Sequence, residues 1–96
     1  MTRARFVVRG LVQGVFFRAA AVREATAHGL TGRVWNTADD AVELVVEGDA
    51  DSVAALERWL AHGPSLSRVE SVERTDLGGE RRYQDFRVAY AAPGMS

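Results

Sequence analysis

The chain has 96 residues, of which 47% are hydrophobic and 26% charged, as in a soluble globular protein with one hydrophobic core. It contains no cysteine, which excludes disulfides, thiolate metal ligands and cysteine nucleophiles. Twelve basic residues, all arginine, against thirteen acidic ones give a formal net charge of -1. That balance argues against a dedicated nucleic-acid binder, which normally carries a clear basic excess.

The chain carries no sign of a targeting or membrane segment. The apolar run behind its basic first residues ends at Arg9, too short for the core of a signal peptide. No stretch approaches the length of a transmembrane helix, so we expect a cytoplasmic protein that does not bind membranes. No linker or repeat divides the chain, which predicts a single domain over residues 1–96. Its core spans about residues 4–90, and residues 91–96 form a frayed tail.

A strand followed by a helix opens the chain. The apolar run of residues 5–9 predicts the strand, and the alanine-rich segment 17–28 predicts a helix that ends at Gly29. The predicted buried face of this helix consists of small and branched residues, Ala21, Val22 and Ala25.

A hairpin comes next. Residues 33–36 and 42–47 read as strands on either side of a turn-rich link over residues 37–41. Alternation along the second strand places one apolar face inward and leaves Glu43 and Glu47 as surface carboxylates.

The second half predicts another helix and two more strands. The helix begins after Gly48 with Asp49 or Asp51 as its N-cap, and Gly63-Pro64 ends it. Its apolar positions recur at helical spacing: Val53, Leu56, Trp59 and Leu60. Residues 67–75 predict a strand and residues 77–82 a loop. A short last strand alternates Phe86, Val88 and Tyr90.

This order, β-α-β-β-α-β with a short final strand, predicts an α+β fold. Two β-α-β halves with right-handed crossovers give a mostly antiparallel sheet covered on one face by both helices, the ferredoxin-like sandwich. The fold alone leaves the function open, because interaction domains and metal-binding domains share it.

The connection between the first strand and the first helix suits an anion. A glycine-containing turn at a helix N-terminus can aim several backbone N–H groups at one point. Arg18 follows in the first helical turn, where its charge opposes the helix dipole at a cost of about 0.3–1 kcal/mol. A cation in that place indicates a bound anion, and phosphate fits the guanidinium fork best. An arginine placed there by chance is the competing interpretation.

The stretch from Gly10 to Arg18 resembles the acylphosphatase signature Gly-x-Val-Gln-Gly-Val-x-Phe-Arg and matches every defining position. The two open positions are occupied by Leu11 and Phe16. Acylphosphatases have the ferredoxin-like architecture, so the resemblance agrees with the fold predicted from the pattern. It implies that Arg18 is catalytic and that the loop N–H groups bind phosphate. The implied phosphate-binding loop consists of Gln13, Gly14, Val15, Phe16, Phe17 and Arg18.

A second motif of the family follows in Gly32-Arg33-Val34-Trp35-Asn36-Thr37. The resemblance makes Asn36 the second catalytic residue, whereas by itself an asparagine there would be read as a turn initiator. Many relatives carry glycine where Asp40 stands here. Aspartate tolerates the left-handed conformation less well than glycine, which leaves a different hairpin turn open.

The resemblance implies an enzyme that hydrolyses the carboxyl-phosphate bond of small acyl phosphates without metal or cofactor. Inorganic phosphate would be both product and competitive inhibitor, and the protein a monomer. His28 and His62 are expected to have no catalytic role, and no residues show convincing metal-ligand spacing. The alternatives are a non-catalytic module that binds phosphate or carbamoyl phosphate, and a ferredoxin-like interaction domain. Related domains begin large hydrogenase-maturation proteins, but the chain is expected to be too short to be one.

Overall fold

A five-stranded sheet and two helices form the part of the chain that this computed structural model describes, residues 1–93. The elements are β1 (Thr2–Leu11), α1 (Phe17–Ala27), β2 (Thr31–Asn36), β3 (Val42–Gly48), α2 (Ala50–Leu60), β4 (Arg68–Leu77) and β5 (Phe86–Val88). The strand order is β4-β1-β3-β2-β5, antiparallel throughout except for the parallel pair β2–β5. The predicted ferredoxin-like fold is confirmed. No helix within residues 1–93 is long and apolar enough to cross a membrane.

The element boundaries differ from the predicted ones mainly in the strands. β1 and β4 are longer than expected, and β5 ends at Val88, so Tyr90 lies beyond the sheet. On α1 the buried residues are Phe17, Ala21 and Ala25, while Val22 is only partly buried. Asp49 is the N-cap of α2, and Asp51 lies in its first turn. Of the predicted tail, residues 94–96 lie outside the described part.

The core lies between the sheet and the two helices. Phe6 and Leu44 from the central strands and Leu56 from α2 are among its largest fully buried side chains. The rings of Phe17 and Trp59 lie 5.7 Å apart, centre to centre, at an angle of 54°. This contact connects the first turn of α1 to α2, so the helix start is fixed by core packing.

The sheet brings the ends of β1 and β2 to one edge. Val42, the first residue of β3, pairs with Val8 on one side and with Asn36 on the other. Beyond Val8, the register of β1 against β4 shifts at Gly10. A Cβ on Gly10 would lie 2.1 Å from the Arg68 carbonyl oxygen, so only glycine allows this approach. The two motif segments therefore leave the sheet side by side.

The expectation that Glu47 is a surface carboxylate is wrong. Glu47 is fully buried and accepts hydrogen bonds from Arg3 Nε at 2.8 Å, from the backbone N–H groups of Arg82 and Tyr83 at 2.9 and 3.0 Å, and from Thr31 Oγ1 at 3.2 Å. Burial opposes ionisation, but these donors outweigh it and hold the pKa of Glu47 below its ordinary value. The carboxylate connects the segment after β4 to the sheet.

Replacing Glu47 by glutamine should destabilise the fold strongly. The amide would leave Arg3 as a buried cation without a counter-charge, at a cost of about 3 kcal/mol, or roughly 12–24 °C in Tm. Because the folded-state pKa of Glu47 is lowered, its contribution is present above about pH 4 and lost as the pH falls through that pKa. Urea unfolding at several pH values measures both effects.

The matched control is Glu73→Gln, which breaks an exposed pair with Arg9. It should cost less than about 1 kcal/mol. The role given to Glu47 would be contradicted if Glu47→Gln and Glu73→Gln lowered the free energy of unfolding equally. It would also be contradicted if the difference in unfolding free energy between wild type and Glu47→Gln grew as the pH falls.

Candidate active site

The loop between β1 and α1 changes the sign of φ from one residue to the next. Gly14 and Phe16 have φ values of 74° and 61°, whereas Gln13 and Val15 keep negative values. This alternation turns successive backbone N–H groups toward one side, as in an anion-binding nest. Within residues 1–93, no N–H of residues 14–18 makes a short, well-aligned hydrogen bond to a protein acceptor. The loop therefore has N–H donors available to a ligand.

The N-terminus of α1 is open in the same way. Its N-cap, Phe16, supplies no side-chain hydrogen bond, and its first turn has no acidic residue. The first turn of α2, by contrast, contains Asp51. The N–H groups and the positive end of the α1 dipole thus have no capping side chain among the described residues and are available to an anion.

Arg18 adds a positive charge at this helix end. Most arginines on the sheet form ion pairs, among them Arg9 with Asp39, Arg33 with Asp85 and Arg74 with Glu57. Arg18 is half-buried and forms no ion pair within the described residues. Its guanidinium carbon lies 5.9 Å from the centre of the Tyr90 ring.

Asn36, the last residue of β2, carries a buried acceptor. Its Oδ1 is the one buried side-chain polar atom of residues 1–93 that has no hydrogen-bond partner. A buried amide oxygen without a donor is costly, which points to a role for it. The fold thus leaves this side-chain oxygen of Asn36 without a protein donor in the described part of the chain.

Gln13 connects the loop to the β2–β3 hairpin. Its Nε2 donates to the carbonyl oxygen of Thr37 at 2.9 Å and to that of Ala41 at 2.7 Å. These two carbonyls border the turn that follows Asn36. The side chain of Gln13 therefore fixes the distance between the anion loop and the asparagine.

The hairpin turn is held by its own contacts. Thr37 N–H donates to the Ala41 carbonyl at 2.9 Å, and Asp39 bonds to Thr37 and Arg9. The Thr37 hydroxyl and then Arg9 lower the pKa of Asp39. Asp40 adopts φ 70°, so it takes the left-handed conformation itself. Aspartate in place of glycine leaves Asn36 at the strand end, paired with Val42.

One cavity of about 360 Å³ brings both motifs together. Among the residues predicted for the site, it is lined by Gly14, Phe16, Phe17, Arg18 and Asn36. Gln13 and Val15, predicted as phosphate-binding, do not line it, and the side chain of Gln13 is occupied by the hairpin.

Four lining residues were missed from the sequence: Val12, Ala19, Val88 and Tyr90. The alternation of Val88 and Tyr90 in the predicted last strand was the one available signal for the latter pair.

The cavity holds no group that titrates near neutral pH. None of its lining residues is aspartate, glutamate or histidine. Within residues 1–93, no group of three such side chains is placed to hold a metal ion. What this arrangement can do chemically is bind an anion with N–H groups and a guanidinium, beside Asn36.

Comparisons with known proteins agree with the fold and the motifs. A family model described as Acylphosphatase matches residues 4–88. An acylphosphatase of Methylococcus capsulatus is 46% identical over 88 residues, 92% of this chain and 96% of that protein. The structure of an acylphosphatase from Coxiella burnetii has a TM-score of 0.87 at 41% identity and covers 92% of each chain. That of the Bacillus subtilis acylphosphatase reaches 0.90 at 30% identity, covering 94% of this chain and 100% of that one. The chain therefore belongs to the acylphosphatase family of enzymes.

Proposed function

We propose that this cavity hydrolyses the carboxyl-phosphate bond of small acyl phosphates to a carboxylate and inorganic phosphate. A water oriented by Asn36 attacks the phosphorus in line, while Arg18 and the loop N–H groups hold the phosphoryl group. The observation that carries the proposal is the meeting, in one cavity, of the N-terminal turn of α1, the Arg18 side chain, which forms no ion pair within residues 1–93, and Asn36.

The phosphoryl group is the ligand that the donors fit. Its oxygens accept from the N–H groups at the start of α1 and from two prongs of the Arg18 guanidinium. These contacts strengthen as negative charge spreads over the oxygens in the transition state. Arg18 and the loop thus act on binding and on turnover alike.

The side-chain amide of Asn36, a residue that lines the cavity, gives the water its orientation. A hydrogen bond between this amide and the water turns a lone pair of the water toward the phosphorus. Positioning of this kind lowers the reaction barrier, because part of the entropy cost of bringing the reactants together is met on binding.

Acyl phosphates suit a cavity without a general acid or base. Their leaving carboxylate is a weak base and departs without being protonated. The proton of the attacking water passes to a phosphoryl oxygen, so no protein carboxylate or imidazole is required, and the cavity has none. Competitive inhibition by phosphate, a monomeric state and a cytoplasmic location remain predictions from the sequence.

Turnover of an aryl acyl phosphate, followed by its loss of ultraviolet absorbance, tests the function. Hydrolysis should persist in excess chelator, because the phosphoryl charge is met by arginine and N–H groups rather than by a metal. Activity that disappears in chelator and returns with Mg²⁺ would overturn this mechanism. Binding of phosphate or carbamoyl phosphate with no turnover would favour the non-catalytic module.

Arg18→Ala and Asn36→Ala should fail in different ways. Arg18→Ala should lose measurable phosphate binding and about 10³-fold or more in kcat/KM, and Arg18→Lys should restore little of either. Asn36→Ala should lose about 10²–10³-fold in kcat while its phosphate Kd stays within about threefold of wild type. Calorimetric phosphate titration beside steady-state kinetics separates the two.

Thermal unfolding is the control for this pair. Arg18→Ala should be as stable as wild type or gain about 0.3–1 kcal/mol, since a cation leaves the positive end of a helix. If Asn36→Ala weakens phosphate binding as much as Arg18→Ala does, the proposed division of labour is wrong.

Gln13→Leu should lower kcat about 10- to 100-fold with a phosphate Kd within about threefold of wild type. The loop would keep its N–H groups and Arg18, but its spacing from Asn36 would no longer be fixed, and misplacement by about 1 Å can cost 10²-fold in rate. The same kinetics and titrations measure this split.

Arg9→Gln is the matched control, because it removes an exposed contact to the same hairpin at Asp39. Its kcat should stay within about twofold of wild type. A Gln13→Leu variant that turns over normally would show that the two hydrogen bonds do not set the alignment.

A further inference from the structure

A second cavity, of about 290 Å³, lies next to the catalytic one. Its walls come from the loop, from one face of α1 and from the segment that leads into β4. They are mostly apolar, with Val15, Phe16, Ala20, Pro64 and Leu66 among them, and their two polar members are Arg23 and Ser65. Phe16 and Ala19 line both cavities, so the two are neighbours at the start of α1.

Exposed apolar side chains gather around these two cavities. The large hydrophobic residues exposed within residues 1–93 are Met1, Leu11, Phe16, Leu66 and Tyr90. Three of these five line one or both cavities, and clustered exposed hydrophobics mark ligand-binding surfaces more often than scattered ones do.

Phe16 is the one of these exposed residues that lines both cavities. It is 78% exposed, although its φ of 61° is unusual for an aromatic residue and costs about 1–3 kcal/mol. The family signature leaves this position open. An exposed, strained aromatic between two cavities is suited to a role in specificity.

In-line chemistry gives the direction of the acyl group. The attacking water and the leaving oxygen lie on opposite sides of the phosphorus. With the water at Asn36, the acyl group points away from β2 and from β5, which pairs with β2. The second cavity has no lining residue from either strand.

We propose that the second cavity is the subsite for the acyl group, and that it selects acyl phosphates with an extended apolar chain. The proposal rests on the proposed function, because it places the substrate phosphoryl at Arg18. The chain leaves the phosphoryl group, crosses the Phe16 ring and lies against Leu66. The substrates so favoured carry long linear or aryl acyl groups rather than acetyl.

The test compares kcat/KM for acetyl, butyryl and octanoyl phosphate, whose leaving carboxylates have nearly the same basicity. The kcat/KM of wild type should rise about twofold per added methylene, which corresponds to roughly half of the free energy that full burial of a methylene supplies. Leu66→Ser should lower kcat/KM about five- to tenfold for octanoyl phosphate and change it less than about twofold for acetyl phosphate.

Leu11→Ser is the matched control, since Leu11 is 60% exposed against 68% for Leu66 and lines neither cavity. It should leave all three values within about twofold of wild type. Both leucines are exposed enough for the variants to fold.

Three results would overturn the subsite. They are no gain with chain length in wild type, equal losses for acetyl and octanoyl phosphate in Leu66→Ser, and a chain-length gain that Tyr90→Ser removes and Leu66→Ser does not. The failure of the proposed function looks different, since acetyl phosphate would then not be hydrolysed at all.

Discussion

The position of β3 between β1 and β2 is the constraint around which the site is built. Adjacent strands lie about 4.8 Å apart, so the ends of β1 and β2 are separated by roughly 10 Å and share no ladder hydrogen bonds. The anion loop follows β1 and Asn36 ends β2, so the sheet alone does not set their distance closely. Gln13 reaches across the start of β3 to the carbonyls of Thr37 and Ala41 and supplies the missing connection. We therefore expect the alignment of the two motifs to depend mainly on this side-chain amide, since the other side-chain contact from β1 to the hairpin turn, between Arg9 and Asp39, is exposed.

The electrostatics of the site run against local preference. An isolated helix favours an acid or a capping side chain at its start, whereas α1 begins with an aromatic in the left-handed conformation and then Arg18. Core packing holds this start in place, since Phe17 is buried against Trp59. The loop can thus keep its N–H groups and its cation unsatisfied by the protein, which is the condition for binding an anion strongly.

Sequence patterns predicted the fold because each element had a local signal. Helical spacing in α2, the hairpin turn and the glycine-rich end of β1 all depend on near neighbours. Glu47 could not be placed in this way, because its position in the alternation along β3 is that of an exposed residue. The residues that bury and bind it, Arg82 and Tyr83, lie 35 and 36 positions away and cover it only after folding.

The same difference between local signals and contacts of distant residues applies to the candidate site. The motifs named Arg18 and Asn36, and the structure places both on one cavity, while their roles stay predictions. The hydrogen bonds of Gln13 and the adjacent apolar cavity had no sequence signal, since they join segments 24 to more than 40 residues apart. A motif states which residue types occur, but the contacts that aim them come from the tertiary structure.

The two ends of β3, the central strand, lie in different parts of the fold, one beside the motif segments and the other at the buried ion pair. Its first residue, Val42, lies between the two motif segments, and Glu47, five residues further on, holds the buried ion pair with Arg3. At about 3.3 Å per residue the two ends are roughly 16 Å apart, beyond the range at which substitutions usually couple. The strain at Phe16 and the uncapped, positively charged helix start therefore concentrate at one end. The satisfied carboxylate lies at the other end and does not line the cavity. A fold arranged in this way can change its substrate-facing loop while its main buried polar network remains intact.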